Sequence, residues 1–421
     1  MQQNFSTKLI NFIMQNATKY YLHLDKSQIT PLIPQENKQY LLYMHVPFCA
    51  TLCTYCSFNR FLFNEAKARA YFKNLRKEMR LVKQLGFNFN SIYVGGGTTS
   101  ILPDELNKTL DLARELFNIK EVSCESDPNH LQKEVLESFK NRIDRLSVGV
   151  QSFNDGILKK IGRYDKFGSG EEVYKKLEGA LGILPIINID LIFNFPNQTQ
   201  EMLQKDLDLI KSLKPNQCTT YPLMSSPSVK SALKRSIGEV SLDNEAKLYE
   251  LILQNLQDSY TPLSSWAFSK KGDAIFDEYV VDNDEYVGIG TGSFSFLNGV
   301  LYANTFSLKE YDEKINSGKL GVAREKKYSK KAQLQYRLMV ELFGGKLDSN
   351  SFKKRYGENA LRRLWMELLF LQCTKNIYKK DNNFYPTEQG KYLFLSMMKE
   401  FYIGMDKIRE ESRAALKECD M

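Results

Sequence analysis

The chain is poor in histidine, with three in 421 residues, and poor in tryptophan, with two. It also shows no secretory leader, no uninterrupted apolar span, no internal repeat and no low-complexity tract. The nearest approach to a span is 5–22 (FSTKLINFIMQNATKYYL), but Lys8, Asn11, Gln15 and Lys19 interrupt its apolar positions. That pattern predicts an amphipathic helix rather than a signal sequence or a membrane crossing. Seven cysteines without a leader argue against a disulfide framework and for a reducing, cytoplasmic setting. A net charge of +8 suits an anionic partner. Lys and Arg are nevertheless interleaved with Glu and Asp along helical stretches, which reads as solvated helix faces, and no nucleic-acid partner is expected.

What the chain does have is a compact group of thiols. Cys49, Cys53 and Cys56 form CxxxCxxC inside YMHVPFC-ATLCTYC, directly after an apolar strand-like run. Three thiolates in one loop can hold three irons of a cubane and leave the fourth open to a ligand. A zinc site would need a fourth Cys or His nearby, and the next cysteine, Cys124, lies on what reads as a different strand. Simple packing of three buried cysteines sits poorly with a short polar loop that also holds Thr51 and Thr54. His45, four residues before the first thiol, reads equally as strand-end packing or as a neighbour of that site.

From 40 to about 224 short β-rich runs alternate with longer helical ones, the pattern of parallel βα units. The strands are expected at 40–47, 91–95, 122–126, 145–151, 187–193 and 217–223. Helices are expected at 66–85, 104–117, 131–140, 171–181 and 200–213. Leu106, Leu110, Ala113 and Phe117 keep the spacing of one buried helical stripe. Six such units predict an α/β fold, a partial (βα)6 barrel. Ligands gather at the carboxyl ends of its strands. A helix at about 244–257 and mixed strands over 261–302 extend it. Beyond about 327, helices at 331–342, 349–356 and 358–372 precede a strand pair near 376–379 and 383–386 and a helix from Thr387, a winged-helix-like arrangement. Glu358, Glu367 and Glu388 interrupt its basic residues, which favours a lid or packing role over DNA binding. The chain thus divides into an N-terminal helical segment (1–39), the partial barrel (40–225), a mixed-strand extension on the substrate side (226–326) and the C-terminal helical domain (327–421).

Unusual residues fall at the strand ends. Gly95-Gly96-Gly97-Thr98 follows the second strand and would let backbone groups approach a ligand, with carbonyls suited to an ammonium group. Glu125 at the third strand is either a satisfied surface carboxylate or an acceptor for a bound cofactor. Gln151 ends the fourth strand and Asp190 lies in the fifth. Both suit ribose or amine recognition, although Asp190 reads equally as a buried carboxylate bonded to backbone amides. Arg163, after Ile161-Gly162, has the fork to grip a carboxylate.

YMHVPFC with its cysteines, YVGGGTTS, LSVGVQSF, IGR and NIDLIFNFP together resemble the radical S-adenosylmethionine (SAM) family that contains oxygen-independent coproporphyrinogen III oxidase, haem chaperones and haem-degrading enzymes. The resemblance covers about 40–310. It implies that Cys49, Cys53 and Cys56 ligate a [4Fe–4S] cluster and that SAM binds the open iron. Tyr43, Gly96, Gly97, Thr98 and Glu125 would line the SAM site. Tyr55, Gln151, Arg163 and Asp190 would contact a first or second SAM. It further implies a 5′-deoxyadenosyl radical, a porphyrinogen or haem as substrate, and a flavodoxin- or ferredoxin-type electron donor.

Several positions depart from the family pattern. Phe58 stands where the biosynthetic oxidase carries a further cysteine. The chaperone phrase HNxxYW has no counterpart at Phe276–Val281, the usual GAH-type phrase reads Gly292-Ser293-Phe294, and two glycines of the DLIYGLPGQT-like phrase are Asn194 and Asn197. These substitutions mark a divergent member. Asparagine still tolerates the left-handed backbone such turns require.

Overall fold

The computed structural model describes residues 5–25, 29–224, 234, 238–273, 283–414 and 416. The phrase Phe276–Val281 and the 225/226 boundary therefore lie outside the described residues.

Six parallel strands form the centre of the molecule: β1 (Tyr40–Val46), β4 (Phe89–Gly96), β5 (Glu121–Ser126), β6 (Arg145–Gln151), β7 (Ile186–Phe193) and β8 (Gln217–Pro222). Between β1 and β4 lies a separate parallel pair, β2 (Phe48–Cys49) and β3 (Phe61–Leu62). The main sheet does not stop at six strands. Antiparallel β10 (Ala267–Lys270) and β9 (Tyr260–Pro262) continue it beyond β8. On the other side β11 (Tyr286–Ile289) pairs parallel with β1, followed by antiparallel β12 (Phe294–Leu297), β13 (Val300–Asn304) and β14 (Val322–Lys327). The result is one twelve-stranded sheet of order β14-β13-β12-β11-β1-β4-β5-β6-β7-β8-β10-β9. It is the partial α/β barrel with mixed β extension that the alternation predicts.

Alternation along β1 explains how the sheet has two working faces. Leu42, Met44 and Val46 are fully buried against helices such as Glu65–Gln84. Tyr43 and His45 point the other way, toward the concave side. Helix starts are fixed by side-chain caps: Asn64, Asn154, Thr199 and Ser241 each accept a backbone N–H of the first turn.

The C-terminal part begins with the helix Lys330–Phe343 and carries the hairpin β15 (Ile377–Lys380) and β16 (Asn383–Pro386). Asp381 and Asn382 both take positive φ at its turn, as a tight hairpin requires. The helix expected over 358–372 is instead two, Ala360–Arg363 and Trp365–Cys373, broken at Leu364, whose side chain is drawn fully into the core. The last helix, Glu388–Ala414, runs back across the concave side. The N-terminal helix Phe5–Tyr21 lies along it: Asn11 Nδ2 donates to Ser396 Oγ at 3.1 Å, and Gly404 leaves room for Thr18 and Leu22. A buried ion pair fastens the last helix to the barrel, with Lys399 Nζ 2.7 Å from Glu245 Oε1. No helix among the described residues is long and apolar enough to cross a membrane.

Candidate functional site: a cysteine loop at the strand ends

The loop bearing the three cysteines is closed at its base by β2 and β3. Phe61 N–H donates to Pro47 O at 2.6 Å, and Phe63 N–H to Cys49 O at 2.9 Å. Inside the loop, Arg60 Nη2 donates to the carbonyls of Cys53 (2.6 Å) and Cys56 (2.5 Å), drawing the second and third cysteines onto one turn. Burial pushes the Cys49 thiol up to about 11 and the Cys56 thiol upward as well. Both are therefore neutral thiols at neutral pH, and a metal taking them as ligands would displace their protons.

The glycine run packs directly on this loop. Gly97 N–H donates to Val46 O and Thr98 N–H to Phe48 O, both at 2.7 Å. Gly96 N–H is bound by Glu125 Oε2 at 3.0 Å. These three N–H groups are spent on protein acceptors and are not available to a ligand. Gly96 has φ of 123°, and a Cβ there would stand 2.7 Å from His45 Cε1, so only glycine fits. The Thr98 hydroxyl donates to Asp127 Oδ2 at 2.9 Å and also hydrogen-bonds the Cys49 sulfur.

Tyr43 and Tyr93 stack with ring centres 6.2 Å apart, and Tyr93 donates to Glu125 Oε1 at 3.1 Å. Burial, with the nearby charge of Asp190 adding to it, raises Glu125 to about 7. Asp190 rises to about 6 through burial, opposed by Arg145 and by hydrogen bonds from Ser147, Asn188 and Thr219. Its partners are thus side chains, Ser147 Oγ on the neighbouring β6 at 2.7 Å and Asn188 Nδ2 on its own strand at 2.8 Å, rather than backbone amides. Two carboxyls with raised pKa values thus share one concave face.

Gln151 ends β6 with φ of 73° at a register shift against β7. A bulge of this kind re-aims the terminal side chain. Arg163 is buried. Its Nη1 reaches Tyr55 Oη at 3.1 Å and Cys53 Sγ at 3.9 Å, its Nη2 donates to Gly149 O, and its plane lies 4.2 Å over the Phe167 ring. The fork expected to grip a ligand carboxylate is therefore largely committed to the protein. Its Nε has no protein acceptor.

His45 joins two parts of the site, with Nδ1 3.0 Å from Tyr43 Oη and Nε2 2.8 Å from Asn59 O. Burial lowers it to about 4, so it stays neutral. Residues that sequence reasoning missed form the next layer. Asp127 accepts from Asn129 N–H and pairs with His130 Nδ1 at 2.9 Å. An Asp-Pro pair after a strand is a turn signal that would have drawn attention to it. Asn194 and Asn197 take φ of 66° and 64°, the left-handed conformation their glycine counterparts would favour. Gly292 packs against Asn59, just beyond the cysteine loop.

The donor set fits an iron–sulfur cluster. Three thiols lie on one loop, the glycine at 97 leaves space beside Cys49, and the buried Nε atoms of Arg60 and Arg163 lack protein acceptors. Among the described residues no three His, Cys, Asp or Glu groups converge on a point that would hold a single metal ion. A cubane places each thiolate on its own iron and asks for no such convergence.

Residues 43–210 match the Radical SAM superfamily. Over 375 residues the chain is 30% identical to the heme chaperone HemW of Lactococcus lactis, covering 84% of this chain and 95% of that protein. The chain belongs to the radical SAM family of HemN and HemW. The oxygen-independent coproporphyrinogen III oxidase of Helicobacter pylori is 27% identical over 391 residues, 86% of this chain and 85% of the relative. In three dimensions the coproporphyrinogen III oxidase HemN of Escherichia coli superposes with a TM-score of 0.73 over 86% of this chain and 90% of its own, at 21% identity, which establishes the shared fold. As a HemN/HemW family member, the chain uses a [4Fe–4S] cluster and SAM.

Proposed function

We propose that this HemN/HemW family member acts on a tetrapyrrole, with oxidative decarboxylation of porphyrinogen propionates as its leading reaction. The observation that carries the reading is the meeting of the cysteine loop, the glycine run and Glu125 at adjacent strand ends. Cys49, Cys53 and Cys56 hold the cluster. Gly96, Gly97 and Thr98 shape the wall beside it, and Tyr43 and Glu125 close the side of the SAM pocket. Tyr55 and Arg163 act as a pair, the guanidinium holding the phenol against the loop. Gln151 and Asp190 present polar groups from the next two strands to SAM or to a second molecule of it. When bound, the cluster and SAM together supply a 5′-deoxyadenosyl radical that takes hydrogen from the substrate. The chain's own contribution is to orient those partners and keep water from them. A flavodoxin- or ferredoxin-type donor supplies the electron.

A second reading, haem binding and delivery without turnover, is favoured by the likeness to the HemW chaperone. A third, radical opening or alkylation of haem, shares the site and differs only in product. Anaerobic reconstitution with iron, sulfide and reductant, followed by parallel incubation with coproporphyrinogen and haem, separates them by mass. Decarboxylation appears as loss of carbon dioxide with the macrocycle intact, alongside 5′-deoxyadenosine. Haem that binds stoichiometrically and transfers unchanged supports the chaperone. Cofactor cleavage with no change in any tetrapyrrole would sink the substrate assignment.

A further inference from the structure

The end of the last helix lies on the cysteine loop, far from it in sequence. Asp406 is hydrogen-bonded by the Ser57 side chain. Arg409 pairs with Asp406, and its guanidinium lies 4.9 Å over the Phe58 ring and 5.5 Å from the Phe294 ring centre. Arg413 donates to Phe58 O at 3.4 Å and to Arg60 O at 3.5 Å. Met405 and Ile408 pack in the apolar cluster that includes Tyr93 and Phe294, with Tyr43 against it. Positions 405, 406, 408, 409 and 413 follow helical spacing, so one face of the helix meets both the loop and the concave wall.

Basic residues in a last helical turn ordinarily answer the helix dipole and face water. Here the arrangement is different. Arg60 and Arg409 are buried, and Arg413 is half-buried. Burial and the like charge of Arg60 disfavour the charged Arg413, while Cys56 favours it. Among the described residues neither Arg60 nor Arg413 pairs with a carboxylate. Asp406 answers Arg409 alone, and the other two guanidiniums, Arg60 and Arg413, are costly away from water unless a further anion lies beside them. A cluster held by three thiolates carries net negative charge, and gains one more on reduction.

We propose that the end of the C-terminal helix is a working part of the cluster site, in which Arg409 and Arg413 are positioning residues that hold the cysteine loop and set positive charge beside the cluster. The proposal rests on Cys49, Cys53 and Cys56 being the cluster ligands. When one electron from an external low-potential donor converts [4Fe–4S]2+ to [4Fe–4S]+, Arg413 stabilises the added charge and Arg409 offsets the opposing carboxylate of Asp406 beside Cys56, so that both raise the reduction potential. Phe58 then has a role of its own as the platform under Arg409.

The test uses the full chain, reconstituted anaerobically, with the midpoint potential read by redox titration and the reduced cluster followed by electron paramagnetic resonance. R409Q and R413Q are each expected to lower the reduction equilibrium constant about tenfold, a shift of about 59 mV to more negative potential. R409K and R413K keep the charge and are expected to stay nearer wild type. If a glutamine variant fails to load iron while its lysine counterpart loads, the charge is required and the proposal stands. Glutamine variants with wild-type potential and iron content would overturn it. So would lysine variants that fail alongside the glutamine ones while circular dichroism shows an intact fold, since packing and not charge would then explain the loss. Separately, a Cys53→Ser, Cys56→Ser double variant that still assembles the wild-type cluster would remove the ligand assignment itself, without bearing on the potentials of the arginine variants.

Discussion

Gly97 lies so close to Cys49 that a Cβ on the glycine would stand 3.0 Å from the cysteine sulfur and 2.5 Å from the Phe48 carbonyl oxygen. Gly97→Ala therefore forces the β2 backbone away from the glycine run. Overpacking of this kind costs about 1–3 kcal/mol, and here the strain falls on the first cysteine. Reduced iron and sulfide content after reconstitution is expected, with a fold still intact by circular dichroism. A variant that loads a full cluster would show that the contact is slack.

Glu125 titrates near 7 in the folded chain against an ordinary value of 4.5. The folded state thus holds more protons than the unfolded one between those values. The stabilisation from this group is full below the unfolded pKa and is lost as pH rises through about 7. Asp190, raised to about 6, acts in the same direction, whereas His45, lowered to about 4, acts oppositely. Comparing Glu125→Gln with the wild type cancels both. Urea unfolding at about pH 5 and about pH 8 is expected to show the variant gaining on the wild type at the higher pH. Parallel stabilities at the two pH values would count against a raised Glu125.

Arg163→Lys keeps a charge but loses the plane over Phe167 and the simultaneous reach to Tyr55 and Gly149. SAM affinity, measured on the reconstituted protein by equilibrium dialysis, is expected to fall on the order of tenfold, about 1.4 kcal/mol. Unchanged affinity would confine Arg163 to bracing the loop.

Lys399→Met leaves Glu245 buried without its cation, although Tyr392 and Asn194 still donate to it. Destabilisation of about 3–5 kcal/mol is expected in urea unfolding. Replacing both partners with methionine should recover much of that, because an apolar pair needs no desolvation of charge. If the double variant is as weak as the single one, the pair is not the source of the loss.

The parallel strands were legible because their buried runs are short, β-branched and bounded by turn residues. The expected 145–151 matches β6, and the others differ at their ends by a residue or two. The cysteine loop and glycine run were legible for a similar reason, since each is contiguous in sequence. What escaped notice depends on contacts between distant segments. Nothing local in Asp406, Arg409 or Arg413 distinguishes them from ordinary charges near a helix end, and only the folded chain brings them to Phe58. The break at Leu364 was hidden because its cause is the core that buries the side chain, not a glycine or proline.

Asn11 and Ser396, joined across the first and last helices, are 385 residues apart. On a ribosome adding about 5–20 residues each second, the first helix waits roughly 20 to 80 seconds for its partner to be made. Through that interval Ile10, which the finished fold buries, stays exposed to water beside Phe12 and Ile13, which remain exposed even in the native chain. The N-terminal helix therefore stays open to chaperones and to aggregation until its partner is made, and its docking reports that synthesis has passed the last helix.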